Sequence, residues 1–369
     1  MRTTDVVVIG GGIHGCSTAL HLALRGLKAI LVEKDYAGRH ASGVNAGGVR
    51  QLARDLAEIP LSIASMNLWE RIEELVGDDC DFESHGTVLV AENEEELASF
   101  RVRVDDLRLR GFTHEEMIDR AELKRLVPAV ADHCPGGVVS RRDGAADPFR
   151  TTQAFRRRAI EKGAEVLEGV AVTGLSKIGA NWRVETSAGT IEAPKVVNAA
   201  GAWADRIAAM LGEPVPLAVV APMLMVTSRV PAFIQPVVIL RGRKLSFKQL
   251  GNGTVVIGGG HLAMAYRDRN ETVIDWDKLA ISARTVWELF PAMRAATIVR
   301  AWAGIEAYMP DGIPVVGASS TSEGVYHQFG FSTHGFQLGP GTGAMMAELV
   351  ATGSTNTPID GLGIERFRG

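Results

Sequence analysis

Cysteine is scarce in this chain. Only Cys16, Cys80 and Cys134 occur, an odd number at wide spacing with no CxxC pair. That argues against a disulfide framework and a zinc ribbon, and no metal site is expected. Charge of one sign is also lacking: the net charge of −4 gives no electrostatic footprint for nucleic acid. Long apolar runs are missing too. "PLAVVAPMLMV" is too short and too broken by proline to cross a bilayer, so no transmembrane segment is expected. The first strand begins by Asp5 and leaves no room for a secretory leader, so a cytoplasmic setting is the expectation. With 369 residues, 46% hydrophobic and 22% charged, the chain has the composition of an ordinary globular protein of about two domains.

What the chain does have is glycine grouped in turns. In "VVVIGGGIHGCS", Gly10, Gly12 and Gly15 form GxGxxG. The first makes the tight turn, the second lets backbone approach a pyrophosphate, and the third lets a helix pack on a strand. The context fits: "DVVVIG" reads as a buried strand, "HGCSTALHLALRG" as a helix ending at Gly26, and "KAILVEK" as a second parallel strand. Glu33 ends that strand where a carboxylate holds an unphosphorylated ribose, as in FAD or NAD. A small-residue loop follows, "YAGRHASGVNAGGVRQ", in which Ser42, Gly43, Asn45, Ala46, Gly47 and Gly48 can run close to something flat and polar. A second Gly/Ala turn lies in "APKVVNAAGAWADRIAAML". A third lies in "GVYHQFGFSTHGFQLGPGTGAMMAELVATG", with a helix expected to begin near Gly341 and aim its N-terminus at an electron-rich ring. Turns from the start, middle and end of the chain imply one cofactor threaded through all of it, which suits FAD better than NAD.

With "GRHASGVNAGGVR", "VVNAAGAWAD", "WAGIEAYMPDGIPVVG" and "GFSTHGFQLGPGTG" beside the first motif, the chain resembles the D-amino-acid oxidase family of flavoproteins, in its glycine/sarcosine oxidase-like branch. Within it the chain is most similar to FAD subunits of opine oxidases and of hydroxyproline or proline dehydrogenases, and to D-amino acid dehydrogenases. The resemblance implies an α/β (α+β) protein. A Rossmann-like domain would hold FAD noncovalently, interleaved with a substrate domain whose mixed, largely antiparallel sheet roofs the flavin. Residues 1–80, 145–215 and 310–369 are expected in the first, and 81–144 and 216–309 in the second. By position, Gly10, Gly12 and Gly15, with Ile13 and His14 between, would line the pyrophosphate, and Glu33 the ribose. Lys34, Arg39, His40, Ala41 and Ser42 would follow FAD toward the ring, with Ala46, Gly47 and Gly48 next along the loop. Val172 would touch the adenine side. Ala200, Gly201 and Trp203 form the middle turn, Gly304 lies in "WAGIE", and Gly335, Phe336 and Gln337 would border the pyrimidine edge.

Two departures from the family pattern bear on chemistry. Members with covalent flavin carry a cysteine before the "PDG" loop, where this chain has Glu306, Ala307, Tyr308 and Met309. Some sarcosine oxidases also place a lysine over the ring on the strand matching "GTVVIGGG". This strand has none, Lys248 lies before the turn, and Gln337 stands where a second lysine is common. A fixed cation stabilises superoxide, so its loss favours a dehydrogenase with a non-oxygen electron acceptor. The reaction read here is oxidation of the CH–NH bond of an amino acid, imino acid or opine to an imine, by hydride transfer to flavin N5. The protein then supplies orientation and charge complementarity more than acid–base groups.

An amino-acid carboxylate needs an arginine. Arg50 is the first choice; Arg241 and Arg243, on the turn in "ILRGRKLSF", are the others. Glu306 either meets a second cationic group on the substrate or forms a structural ion pair. Tyr308 lines the pocket or the core. His334 is expected near the ring, as a base or as a hydrogen-bonded strut. Two other readings stay open: a 2-hydroxyacid dehydrogenase using His334 or His40 as base, and an FAD subunit active only with partner subunits.

Overall fold

The computed structural model describes residues 1–368; Gly369, the last residue of the expected FAD-domain segment 310–369, lies outside the described residues. At its centre is Val6–Ile9, paired in parallel with Ala29–Val32 on one side and Lys195–Asn198 on the other. Glu165–Leu167 and Val325–Phe329 extend this sheet in parallel, and Val315–Ala318 closes one edge antiparallel. The unbroken run "VVVI" follows from burial on both faces. Val6 and Val8 pack against the helices Ile13–Leu24, Ile59–Trp69, Pro148–Glu161 and Gly335–Thr352. Val7 and Ile9 face the opposite way, toward Trp182, Val184, Ile191 and Ala193 of a small sheet built mainly from Val172–Ile178, Asn181–Thr186 and Gly189–Ala193.

The second large sheet has eleven strands and is antiparallel except where Val237–Leu240 pairs in parallel with Thr87–Ala91. The strands "PMLMVTS", "PVVIL", "KLSFKQL" and "TVVIGGG" form as Ala218–Thr227, Val237–Leu240, Ser246–Gln249 and Val255–Gly258. Ala218–Thr227 is long enough to pair with Ile298–Ala303 and with Glu306–Tyr308 on one side. That pairing carries Gly304 and Glu306 to the seam between the two sheets.

One element differs from expectation. The last helix begins at Gly335, a turn and a half before Gly341, and runs through Pro340 to Thr352. "GPG" reads locally as a break because Pro340 has no N–H to give. Tertiary bonds carry the helix through it. The Gln337 carbonyl accepts from Ser65 Oγ at 2.5 Å and Trp69 Nε1 at 2.8 Å, and the Gly341 N–H turns to Ser65 Oγ at 3.0 Å. Gly339, Gly341 and Gly343 lie where side chains would run into Ile13, Ser65 and Ser17. Their lack of Cβ serves close helix packing, not loop flexibility.

Candidate active site

The first turn sorts its three glycines by what each one faces. Gly10 has φ of +110°, and a Cβ there would strike the Ala199 carbonyl; a Cβ on Gly15 would strike the Gly10 carbonyl. Both are demanded by the protein's own packing. Gly12 is extended (φ −73°), and its Cβ would meet only Ser42 Oγ, at 2.9 Å. The N–H groups of Gly12 and His14 find no acceptor among the described residues. They stand open at a helix N-terminus, the arrangement that takes an anionic phosphate. The Ile13 N–H is held by Ser42 Oγ at 3.0 Å. The His14 ring stacks on Phe331 at 3.7 Å, and burial lowers it to about 3, so it is neutral.

Glu33 accepts from Gly11 N at 2.6 Å and Asp35 N at 2.8 Å, which fixes its carboxylate across the mouth of the turn. Beside it His40 contacts Asp35 at 3.0 Å and packs against Trp203 at 4.5 Å, with Lys34 Nζ 4.0 Å over the Trp203 ring. Burial lowers His40 to about 4.

These residues open onto one cavity of about 1070 Å³ that runs from Val172 to Glu306. All three small-residue turns line it. Gly10, Gly12, Ile13, His14, Glu33, Lys34, Arg39, His40, Ala41, Ser42, Ala46 and Gly48 come from the start of the chain. Val172, Ala200, Gly201 and Trp203 come from the middle, and Gly304, Glu306, Gly335 and Phe336 from the end. Gly15, Gly47 and Gln337 lie behind the wall rather than on it. Gln337 is fully buried and tied to Ser62 through both ends of its amide. Lys248 is buried with its ammonium beside Gly47, is not among the residues lining the cavity, and is lowered by burial to about 8.

Arg50 lines the cavity, with Nη1 turned to the Leu52 carbonyl. The backbone that presents it is pinned. Gln51 N and Leu52 N donate to Asp143 at 2.8 and 3.1 Å, Ala53 N donates to Glu115 at 2.8 Å, and Arg103 Nη2 donates to the Arg54 carbonyl at 2.8 Å. These bonds hold Ala53 in a left-handed conformation at φ +60°, which costs a non-glycine residue of order 1 kcal/mol. Burial raises Asp143 to about 6. Arg54 also lines the cavity and is only 2% exposed. Burial first, and Arg50 second, lower it to about 9.

The other expected substrate residues divide. Arg241 lies at the exposed rim of the cavity. Arg243 is turned away, paired with Glu92 and Glu288. His334 does not line the cavity; its Nδ1 lies 2.9 Å from Glu58, and burial lowers it to about 4, so the neutral ring donates to a buried carboxylate. That is the strut reading. Tyr308 sits behind Glu306, its hydroxyl pushed up by burial and then by that carboxyl. Asp143, Glu115, Arg103, Glu58 and Arg54 carry no motif. Only folding brings residues 92 and 62 positions apart against the Arg50 loop.

Glu306 lines the cavity and accepts from Thr333 N at 2.5 Å. Burial raises it to about 7. The folded protein therefore keeps a proton that the unfolded chain has lost above its ordinary pKa of 4.5. By linkage, this group's penalty grows as pH rises from there to about 7 and is complete above it. Glu306→Gln should therefore melt higher than the parent protein at pH 8, with the gap closing near pH 5. Equal melting temperatures at both pH values would place the carboxyl in a more polar setting than this one.

The donors fit FAD. Open N–H groups meet a phosphate, Gly12 leaves the space a Cβ would fill, and one cavity reaches both Glu33, for the ribose, and Gly304, for a flat ring. No cysteine lines it, which suits noncovalent attachment. Residues 5–349 match the family described as FAD dependent oxidoreductase, DAO. The chain is 29% identical to the mitochondrial sarcosine dehydrogenase of Mus musculus over 99% of its own length, spanning 41% of that protein. It is 26% identical to sarcosine oxidase subunit beta of Rhodobacter capsulatus, covering 99% of this chain and 88% of that one. Among solved structures, L-proline dehydrogenase from P. horikoshii superposes with a TM-score of 0.92 at 30% identity, over 99% of this chain and 98% of the other. The chain belongs to the DAO family of FAD dependent oxidoreductases.

Proposed function

We propose that this protein oxidises the CH–NH bond of an amino acid, imino acid or opine, as a dehydrogenase rather than an oxidase. One observation carries the reading: Arg50 is presented to the cavity by a backbone pinned on Asp143 and Glu115, in the same cavity as the three nucleotide turns. Relatives named for sarcosine and for proline support it. FAD, when bound, supplies the two-electron acceptor. Arg50 grips the substrate carboxylate and so fixes which face of the Cα–H bond is presented. An amine reacts only when neutral, and the Glu306 carboxylate, poised near 7, can take the ammonium proton at Oε2. The second sheet roofs the site, with Met223, Leu224, Ile239 and Ser246 on the cavity wall. His334 lies off the cavity, and burial lowers both His334 and His40 to about 4, which favours an amine over a 2-hydroxyacid that needs a base for its hydroxyl proton. In this reading residues 1–80, 145–215 and 310–368 carry the cofactor, and 81–144 and 216–309 carry the roof.

The test is anaerobic bleaching of the flavin absorbance with proline, sarcosine, D-amino acids and opines, against a matched set of 2-hydroxyacids. Bleaching by the hydroxyacids alone would overturn the amine reading. Turnover of the isolated chain with a dye would separate a self-sufficient enzyme from one that requires partner subunits, as the relative named subunit beta suggests.

The acceptor is read from charge. No lysine stands on Val255–Gly258, Gln337 is neutral and sealed off, and Lys248 is not among the residues lining the cavity. A reduced flavin without a lysine set over its ring passes its first electron to oxygen slowly; Arg50, in the same cavity, is the cation that meets the substrate carboxylate. In stopped-flow, enzyme reduced by substrate should reoxidise slowly in aerated buffer and quickly with a dye or quinone. Reoxidation by oxygen at the turnover rate would make the protein an oxidase and would assign the missing charge to Lys248.

A further inference from the structure

Arg54 is the most unusual polar group in the molecule. Its guanidinium is walled in, yet Nε and Nη1 have no acceptor. Among the described residues no carboxylate lies within ion-pair distance of Arg54 or of Arg50, although every other fully buried charge near them is engaged. Asp143 holds the Gln51 and Leu52 N–H groups and the Ser140 hydroxyl. Glu58 holds His334 and Asp55 N, and Glu115 holds Arg103 and Ala53 N. Glu58 and Asp143 balance the two cations at longer range, which makes the burial tolerable. They do not fill the guanidinium forks. A buried donor left unmade costs the fold its full desolvation penalty, so such a donor at a cavity wall points to an acceptor that arrives with a ligand.

We propose that Arg50 and Arg54 are two separate carboxylate seats, and that the substrate is a dicarboxylic amine. A planar guanidinium takes one carboxylate in bidentate fashion; Arg50, held only by the Leu52 carbonyl, and Arg54 each still lack one, so the pair calls for two carboxylates. Arg50 seats the carboxylate beside the reacting Cα, and Arg54 seats the other. The second carboxylate belongs either to an amino-acid side chain or to an N-linked carboxyalkyl group. The pinned, left-handed turn at Ala53 aims both arginines from one short segment. The proposal rests on the amine-oxidation reading for the identity of the substrate, but not for the seats themselves.

Non-oxidisable thioethers separate the two. Thiodiacetate carries two carboxylates and (methylthio)acetate carries one. Their binding to the FAD-loaded enzyme is read from perturbation of the flavin spectrum, with no turnover required. The dicarboxylate should bind roughly 10- to 100-fold more tightly, the worth of one charge-assisted pair. Arg54→Met should collapse that ratio toward 1, with a melting temperature no lower than the parent's, because an uncompensated buried cation has been removed. Arg54→Lys should recover part of the ratio, and serves alone if the Met variant is insoluble. Equal loss for both probes would mean that the arginines share one carboxylate. A lower melting temperature with an unchanged ratio would make Arg54 a strut. Either result overturns the proposal. Bleaching by iminodiacetate against bleaching by glutamate of either hand then tells an N-linked second carboxylate from a side-chain one. If no amine bleaches the flavin while the probe ratio holds, the reaction is misassigned and the seats stand.

Discussion

Arg50→Ala should lower kcat/KM for an amino-acid substrate by about 30- to 4,000-fold while FAD stays bound, since losing a desolvated, hydrogen-bonded charge pair costs about 2–5 kcal/mol. The size follows from where Arg50 sits. Its backbone neighbours are fixed by Asp143 and Glu115, so the guanidinium does not have to be ordered when substrate arrives. Little of its binding energy is therefore spent on entropy. Burial also lowers the guanidinium's affinity for its own proton. Most of the loss should appear in KM if the carboxylate grip is equal in ground and transition states, and in kcat as well if it orients the Cα–H bond. FAD content, read from the absorbance ratio, should match the parent's. If the kinetics of the variant match those of the parent, the carboxylate sits elsewhere. Arg241 at the rim would then be the candidate, because Arg243 is bound to Glu92 and Glu288.

The parts of this site that lie along one stretch of chain were legible in the sequence. Gly10, Gly12, Gly15 and Glu33 follow from spacing alone, because a strand, a tight turn and a helix fix where the next strand must end. The middle and last turns were legible as small-residue runs beside strands. What spacing does not carry is the support behind the first layer. Asp143 is an acidic residue in a turn after a strand, and nothing in "SRRDGAAD" separates it from a solvated aspartate. Its role exists only because Gly48–Val49 pairs with Gly144–Ala145 and draws it beneath Gln51. His334 shows the same limit from the other side. Its motif places the backbone by the cavity, but the ring direction is set by Glu58, 276 positions away in sequence. The helix running through Pro340 depends on Ser65 and Trp69, which local propensity cannot see.

Gly12→Val and Gly15→Val should fail for different reasons, and the difference tests the phosphate assignment. A side chain at Gly15 runs into the Gly10 carbonyl in the protein itself. Backbone cannot yield there without parting the first helix from the central strand, so this variant should give no soluble protein. At Gly12 the backbone is already extended, a conformation β-branched residues accept readily. The only protein atom in the way is Ser42 Oγ at 2.9 Å, the end of a short side chain that can shift by a few tenths of an ångström. Gly12→Val should therefore fold with the circular dichroism of the apoprotein. Its new methyl groups would nonetheless stand between the phosphate and the open Gly12 and His14 N–H groups. Overpacking of that kind costs about 1–3 kcal/mol before any lost hydrogen bonds are counted. Losing two charge-assisted bonds adds roughly 3 kcal/mol or more. Together these weaken FAD binding by at least about a thousandfold, so the variant should purify colourless. A yellow, fully loaded Gly12→Val protein would move the pyrophosphate away from this turn. A variant that is insoluble even with excess FAD would show that Ser42 cannot yield, and Gly12→Ala, with one added carbon, would then carry the same comparison.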